Sequence, residues 1–132
     1  MASLTGACHC GQVQWTLAAP PAQATACSCT VCRRYGALWA YGFLGDDVQL
    51  SGETRAYVRG DIEAHLAFHF CPRCGAATCW LPPSPEGSQR CAVNLRMADP
   101  DAVAGVPVRR FDGHDTWKSL PDEGRTVGDV WF

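Results

Sequence analysis

The chain contains no long apolar run and no cluster of basic residues. Its 132 residues carry a formal net charge of −2, with a pI of about 6.0. No Lys/Arg run is longer than the pairs Arg33-Arg34 and Arg109-Arg110. Nucleic-acid binding normally needs a clustered basic face, so no nucleic-acid partner is expected. A polybasic membrane anchor is excluded on the same ground. The first residues, Met1 to Gly6, have neither a charged n-region nor an apolar h-region. No signal peptide and no transmembrane span are therefore expected, and a reducing, cytoplasmic setting follows. Internal repeats and low-complexity tracts are absent. So are a Ser/His/Asp triad, a phosphate-binding loop and a clear paired-carboxylate signature. Helix signals are few.

What is present is punctuation and sulfur. Thirteen glycines and nine prolines are spread along the chain. They interrupt short apolar runs, a rhythm that predicts a mainly β domain. Length predicts one domain over residues 1–132. Strands are expected over Gln12–Leu17, Ala37–Leu44, Val48–Leu50, Thr54–Val58 and Ala64–Phe70. A hairpin is expected from Ala76–Leu81 and Arg90–Leu95, across a proline-rich loop. Asp99-Pro100-Asp101 should cap a short helical turn that Gly105 and Pro107 end. The tail from Val108 onward is expected to wrap the surface on a few aromatic anchors.

Seven of the nine cysteines fall into three clusters: Cys8-His9-Cys10, Cys27-Ser28-Cys29-Thr30-Val31-Cys32 and Cys71-Pro72-Arg73-Cys74. Clustered cysteines in a reducing compartment favour metal over disulfides, and an odd count fits a disulfide framework poorly. Cys71-Pro72-Arg73-Cys74-Gly75 has the form of a zinc knuckle, which supplies two ligands and needs two more. Cys8 and Cys10 can complete a four-cysteine site. A redox reading of the Cys-x-x-Cys lacks its βαβ surroundings. In the middle cluster, Cys27, Cys29 and Cys32 can face one ion from a single loop and leave its fourth position open. A thiol bound there would be held as a thiolate. The competing reading makes this cluster part of a structural site. Spacing alone leaves open which pairs share an ion, and an iron–sulfur cluster would call for four cysteines.

These motifs, read as Gly6-Ala7-Cys8-His9-Cys10-Gly11-Gln12-Val13, Cys27-Ser28-Cys29-Thr30-Val31-Cys32-Arg33 and Phe70-Cys71-Pro72-Arg73-Cys74-Gly75, resemble the glutathione-dependent formaldehyde-activating enzyme family. That family includes centromere protein V-like proteins. The similarity keeps the motif order and runs from about Gly6 to Trp117. It implies a β-tent fold, a tent-shaped, zinc-stabilised arrangement of short antiparallel strands. It implies a structural zinc on Cys8, Cys10, Cys71 and Cys74, and a second, open zinc on Cys27, Cys29 and Cys32. It implies carbon–sulfur lyase-type activity, in which glutathione and formaldehyde combine to S-hydroxymethylglutathione, or the reverse.

The expected function is a zinc-dependent enzyme of small thiol adducts, with two zincs per chain and glutathione as the candidate co-substrate. A substrate thiol would take the open position of the second site and add to an aldehyde carbon. The alternative is a non-catalytic, zinc-stabilised protein-binding module; a zinc-storing or redox-sensing protein is a third reading. Arg33 is a candidate for a substrate carboxylate, and Trp39 a candidate for lining the site. His65 and His69 should share a strand face, and His114 and Trp117 can close over the site. Cys79 and Cys91 read as small buried hydrophobes.

Overall fold

The computed structural model describes residues 2–61 and 66–131. Ten short strands run in chain order: β1 (Leu4–Ala7), β2 (Gln14–Leu17), β3 (Ala24–Cys27), β4 (Trp39–Phe43), β5 (Val48–Ser51), β6 (Arg55–Tyr57), β7 (Ala67–Phe70), β8 (Ala77–Leu81), β9 (Arg90–Asn94) and β10 (Val108–Phe111). Among the described residues three four-residue helices accompany them, α1 (Cys32–Tyr35), α2 (Pro100–Val103) and α3 (Val127–Val130). A 3₁₀ turn covers Leu95–Met97. The fold is mainly β, as the glycine and proline punctuation predicts. Asp99 caps α2 as expected, its side chain accepting from the Asp101 amide at 2.9 Å.

The strands form two sheets. One has the order β1-β2-β5, the other β10-β3-β4-β9-β8-β7-β6. The predicted hairpin forms from β8 and β9, with Cys79 opposite Val93. Two expectations need correction. The strands are not all antiparallel, because β10 runs parallel to β3, with Val108 opposite Ala24 and Phe111 opposite Cys27. The tail therefore does more than wrap the surface: its first four residues become the edge of the larger sheet. The Val-Arg-Arg-Phe segment has too little alternation to announce a strand, and its partner lies some eighty residues earlier. The strands β1 and β3 also go beyond the expected set.

Side chains alternate across a strand with period two, and this divides the larger sheet into two working faces. Leu38, Ala40, Cys79, Cys91 and Val93 lie on one face and share a core with Trp15, Leu17 and Val48 of the smaller sheet. Burial of each large apolar side chain contributes about 1.5–3 kcal/mol. Trp39, Phe68, Trp80 and Ala92 lie on the opposite face and share a second cluster with Cys29 and Cys32. Cys79 and Cys91 are thus core residues, 1 % and 0 % exposed. Burial pushes both thiols up to about 11. Among the described residues no helix is long and apolar enough to cross a membrane.

Asn94 ties these layers together. Its carboxamide oxygen accepts from the Leu38 amide at 3.3 Å and the Arg96 amide at 3.1 Å, and its nitrogen donates to the Ala77 carbonyl at 2.8 Å. Asn94→Ala would leave these buried backbone groups unpaired. Unfolding in urea under reducing conditions should show a loss of about 2–4 kcal/mol.

Candidate metal centres

All nine cysteines are free thiols. Seven of them gather into two groups. The sulfurs of Cys8, Cys10, Cys71 and Cys74 all lie within 4.8 Å of one another, and so do those of Cys27, Cys29 and Cys32.

The four-cysteine group forms where two hairpin turns meet. Cys8 and Cys10 occupy the turn between β1 and β2, and Cys71 and Cys74 the turn between β7 and β8. The turns belong to different sheets. Each closes on a glycine with positive φ, Gly11 at 81° and Gly75 at 80°, a conformation glycine adopts without steric cost. The amide of Gly11 donates to the Cys8 carbonyl and that of Gly75 to the Cys71 carbonyl, both at 2.9 Å. Cys10 Sγ lies 3.6 Å from both Cys8 Sγ and Cys71 Sγ. A zinc–sulfur bond of about 2.3 Å puts the edge of a tetrahedron at about 3.8 Å, so the four sulfurs suit a closed zinc site. Backbone amides point at them: Val13 N donates to Cys8 Sγ at 3.2 Å and Arg73 N to Cys71 Sγ at 3.4 Å. Such donors favour anionic sulfur. The Cys74 thiol is held down at about 6, chiefly by the Ala76 amide. His9, between two of these cysteines, is exposed.

The three-cysteine group is local. Cys27 ends β3, Cys29 lies in the following turn and Cys32 opens α1. The amide of Cys29 donates to Cys27 Sγ at 3.5 Å and that of Cys32 to Cys29 Sγ at 3.3 Å. Trp39 is 2 % exposed, and its indole N–H donates to Cys32 Sγ at 3.4 Å. Hydrogen bonds from Cys27 and Cys32 push the Cys29 thiol down; the contact with Cys29 pushes the Cys27 thiol up, and contacts with Cys27 and then Cys29 push the Cys32 thiol up. Three thiols this close resist joint ionisation until a cation offsets their repulsion. No fourth Cys, His, Asp or Glu joins the group among the described residues. The donor set therefore fits a soft divalent ion with one position left for an exogenous ligand.

The turn after β10 seals one side of this group. A Cβ on Gly113 would lie 2.8 Å from Cys27 Sγ and 2.7 Å from Cys29 Cβ, so only glycine fits there without displacement. Asp112 shapes the turn. Its carboxylate accepts from the amides of His114, Asp115 and Thr116 at 3.1, 2.9 and 3.1 Å. These bonds, led by Thr116, hold its pKa at about 2. The sequence pointed to His114 and Trp117 in this segment, but His114 is exposed and Trp117 is 53 % exposed. Gly113 is the residue that touches the cysteines. An Asp-Gly pair signals a turn, but its target lies more than eighty residues earlier and is invisible in the sequence.

The other sequence candidates separate. Arg33 is exposed, one residue past Cys32, and Arg34 donates to the Thr30 carbonyl at 2.7 Å. Tyr41 packs at a tilt against Trp80, with 5.9 Å between ring centres. His69 pairs with the Thr54 hydroxyl at 2.7 Å. His65, expected on the same face as His69, lies outside the described residues, as does the start of the strand expected from Ala64. Arg59 went unnoticed in the sequence. Its side chain is only 10 % exposed, and Asp61 clasps it.

Fold and clusters together define a mainly β protein with two cysteine centres able to hold metal ions. The model of the glutathione-dependent formaldehyde-activating enzyme family matches residues 3–110, and the chain belongs to that family. A crystal structure of a Rhodobacter sphaeroides protein, a structural-genomics target, superposes with a TM-score of 0.59 at 27 % identity. That match covers 80 % of this chain and 99 % of the other. A search of the curated proteins finds no match.

Gly113→Ala should disturb the three-cysteine group and leave the four-cysteine group intact. Metal analysis of the purified variant should show about one zinc per chain fewer than the parent protein. An unchanged count would mean that the turn yields without disturbing the cysteines.

Proposed function

We propose that this protein is a zinc-dependent carbon–sulfur lyase-type enzyme acting on small thiol adducts. In this reading residues 1–132 work as one domain. Cys8, Cys10, Cys71 and Cys74 hold a structural zinc, and Cys27, Cys29 and Cys32 hold a second zinc with an open position. The carrying observation is the three-sulfur group that no fourth protein ligand joins among the described residues. Family membership supports glutathione as the thiol and formaldehyde as the aldehyde. The free state of all nine cysteines supports work in a reducing compartment such as the cytoplasm.

The reaction forms one carbon–sulfur bond. The thiol sulfur adds to the aldehyde carbon, the carbonyl electron pair moves to oxygen, and the proton lost from sulfur is matched by one gained at that oxygen. The reverse reaction breaks the same bond and releases thiol and aldehyde. A zinc bound at the three cysteines supplies the positive charge that keeps a substrate thiol in its thiolate form at neutral pH.

The chain's own residues supply position and dryness. Trp39 and the Cys29 and Cys32 amides fix the sulfurs by hydrogen bonds. Gly113 closes one side against Cys27 and Cys29. Ala37, Trp39, Phe68 and Trp80 form an apolar wall beside Cys29 and Cys32. Excluding water strengthens the electrostatic contacts inside such a site. Trp39 is the proposed wall of the substrate position, and Arg33 lies at its outer margin.

Cys29→Ser tests the reading. Zinc should fall from two to one per chain while the fold survives. Catalysed exchange between glutathione, ¹³C-formaldehyde and their adduct, followed by NMR, should drop to the uncatalysed rate. Full activity in the variant, or full activity of the parent protein with one zinc, would overturn the proposal. An inert second site with no effect of thiols on the absorption of cobalt-substituted protein would favour the binding-module reading instead.

A further inference from the structure

We infer that Arg59 binds a carboxylate of the thiol substrate, so that the open site selects thiols bearing an acidic group over neutral ones. The inference rests on the thiol-enzyme reading above and adds a specificity residue to it.

The topology carries Arg59 toward the three cysteines. Tyr57, the last residue of β6, pairs with Phe68 of β7. Phe68 shares its cluster with Cys29, Cys32 and Trp39, and its ring lies 6.2 Å from that of Trp39 and 5.5 Å from that of Tyr35. Two residues beyond Tyr57, the chain leaves the sheet edge with the Arg59 side chain covered to 10 % exposure. The hydrogen bonds to Asp61 hold the guanidinium above its ordinary pKa. Arg33, by contrast, is exposed.

The bonding pattern leaves one edge of the guanidinium available. Nε donates to Asp61 Oδ1 at 2.9 Å and Nη2 to Asp61 Oδ2 at 2.8 Å. That uses two of five N–H groups, all on the side-on edge. Among the described residues the other three N–H groups, two of them on the Nη1/Nη2 edge, have no acceptor. A guanidinium can hold a second carboxylate through that edge by two parallel bonds. Asp61, whose side chain is 54 % exposed, orients the fork from the solvent side. A purely structural role would make the Arg59–Asp61 pair a loop clasp in which either partner matters equally.

The zinc-loaded protein separates these roles in a binding experiment. Calorimetric titration would compare 3-mercaptopropionate, a thiol with a carboxylate, with 2-mercaptoethanol, a thiol without one. The parent protein should bind the carboxylate thiol roughly tenfold to a hundredfold more tightly, the range of a charged hydrogen-bonded pair. Arg59→Gln should bring that ratio to about one, with 2-mercaptoethanol binding and zinc content unchanged. Asp61→Asn should preserve or raise the ratio, because it frees the fork without removing it.

Arg59→Gln that keeps both zincs and the full ratio would overturn the assignment. So would equal loss in Arg59→Gln and Asp61→Asn, which would show a loop clasp. Failure of both thiols to bind the parent protein would instead sink the thiol-enzyme reading, and the Arg59 assignment with it.

Discussion

Two hairpin turns from different sheets converge on four thiols, and the rest of the structure is arranged around that meeting. Cys8 and Cys10 arrive from the three-stranded sheet, Cys71 and Cys74 from the seven-stranded one. Sulfurs 3.6 Å apart repel as thiolates and gain little as thiols. A divalent cation held there would reverse that sign and turn a point of crowding into a cross-link. Val13, 1 % exposed, and the partly buried Met97 and Ala76 pack around the group and keep it from open water. The same junction holds the two sheets at the spacing over which Trp15, Leu17 and Val48 pack on Ala40 and Val93.

Strand alternation then divides the labour of the larger sheet. In β4, Ala40 faces the intersheet core while Trp39 and Tyr41 face the other way. In β8 and β9, Cys79, Cys91 and Val93 take the first face, Trp80 and Ala92 the second. One face is spent on stability. The other presents an apolar wall beside Cys29 and Cys32, bounded by the Gly113 turn. A site built on strand ends inherits the rigidity of a sheet whose register is set on its far side. The two cysteine groups differ accordingly. The first joins residues 61 apart in sequence and brings together turns of the two sheets. The second closes within six residues and lies beside the apolar face that carries Trp39 and Phe68.

The β8–β9 hairpin, β2, β4 and the Asp99 cap were legible because alternation, glycine and a capping aspartate are local signals. The strand β10 was not, because Val108 to Phe111 becomes a strand only by pairing with Ala24 to Cys27. Cys79 and Cys91 read as small buried hydrophobes, and they are core residues. Arg33 drew notice by adjacency to Cys32, whereas Arg59 follows a strand whose last residue, Tyr57, pairs with Phe68 across eleven residues.

The sequence by itself determined the mainly β character, the grouping of its cysteines and the family, since each rests on residue type and short spacing. Only the tertiary structure decided that the turns of two sheets meet at four thiols, that Gly113 touches Cys27 and Cys29, and that Arg59 rather than Arg33 is covered. Those facts depend on strand pairing across long separations. Pairing is chosen by the energy of the whole packed core, which no local window of sequence contains.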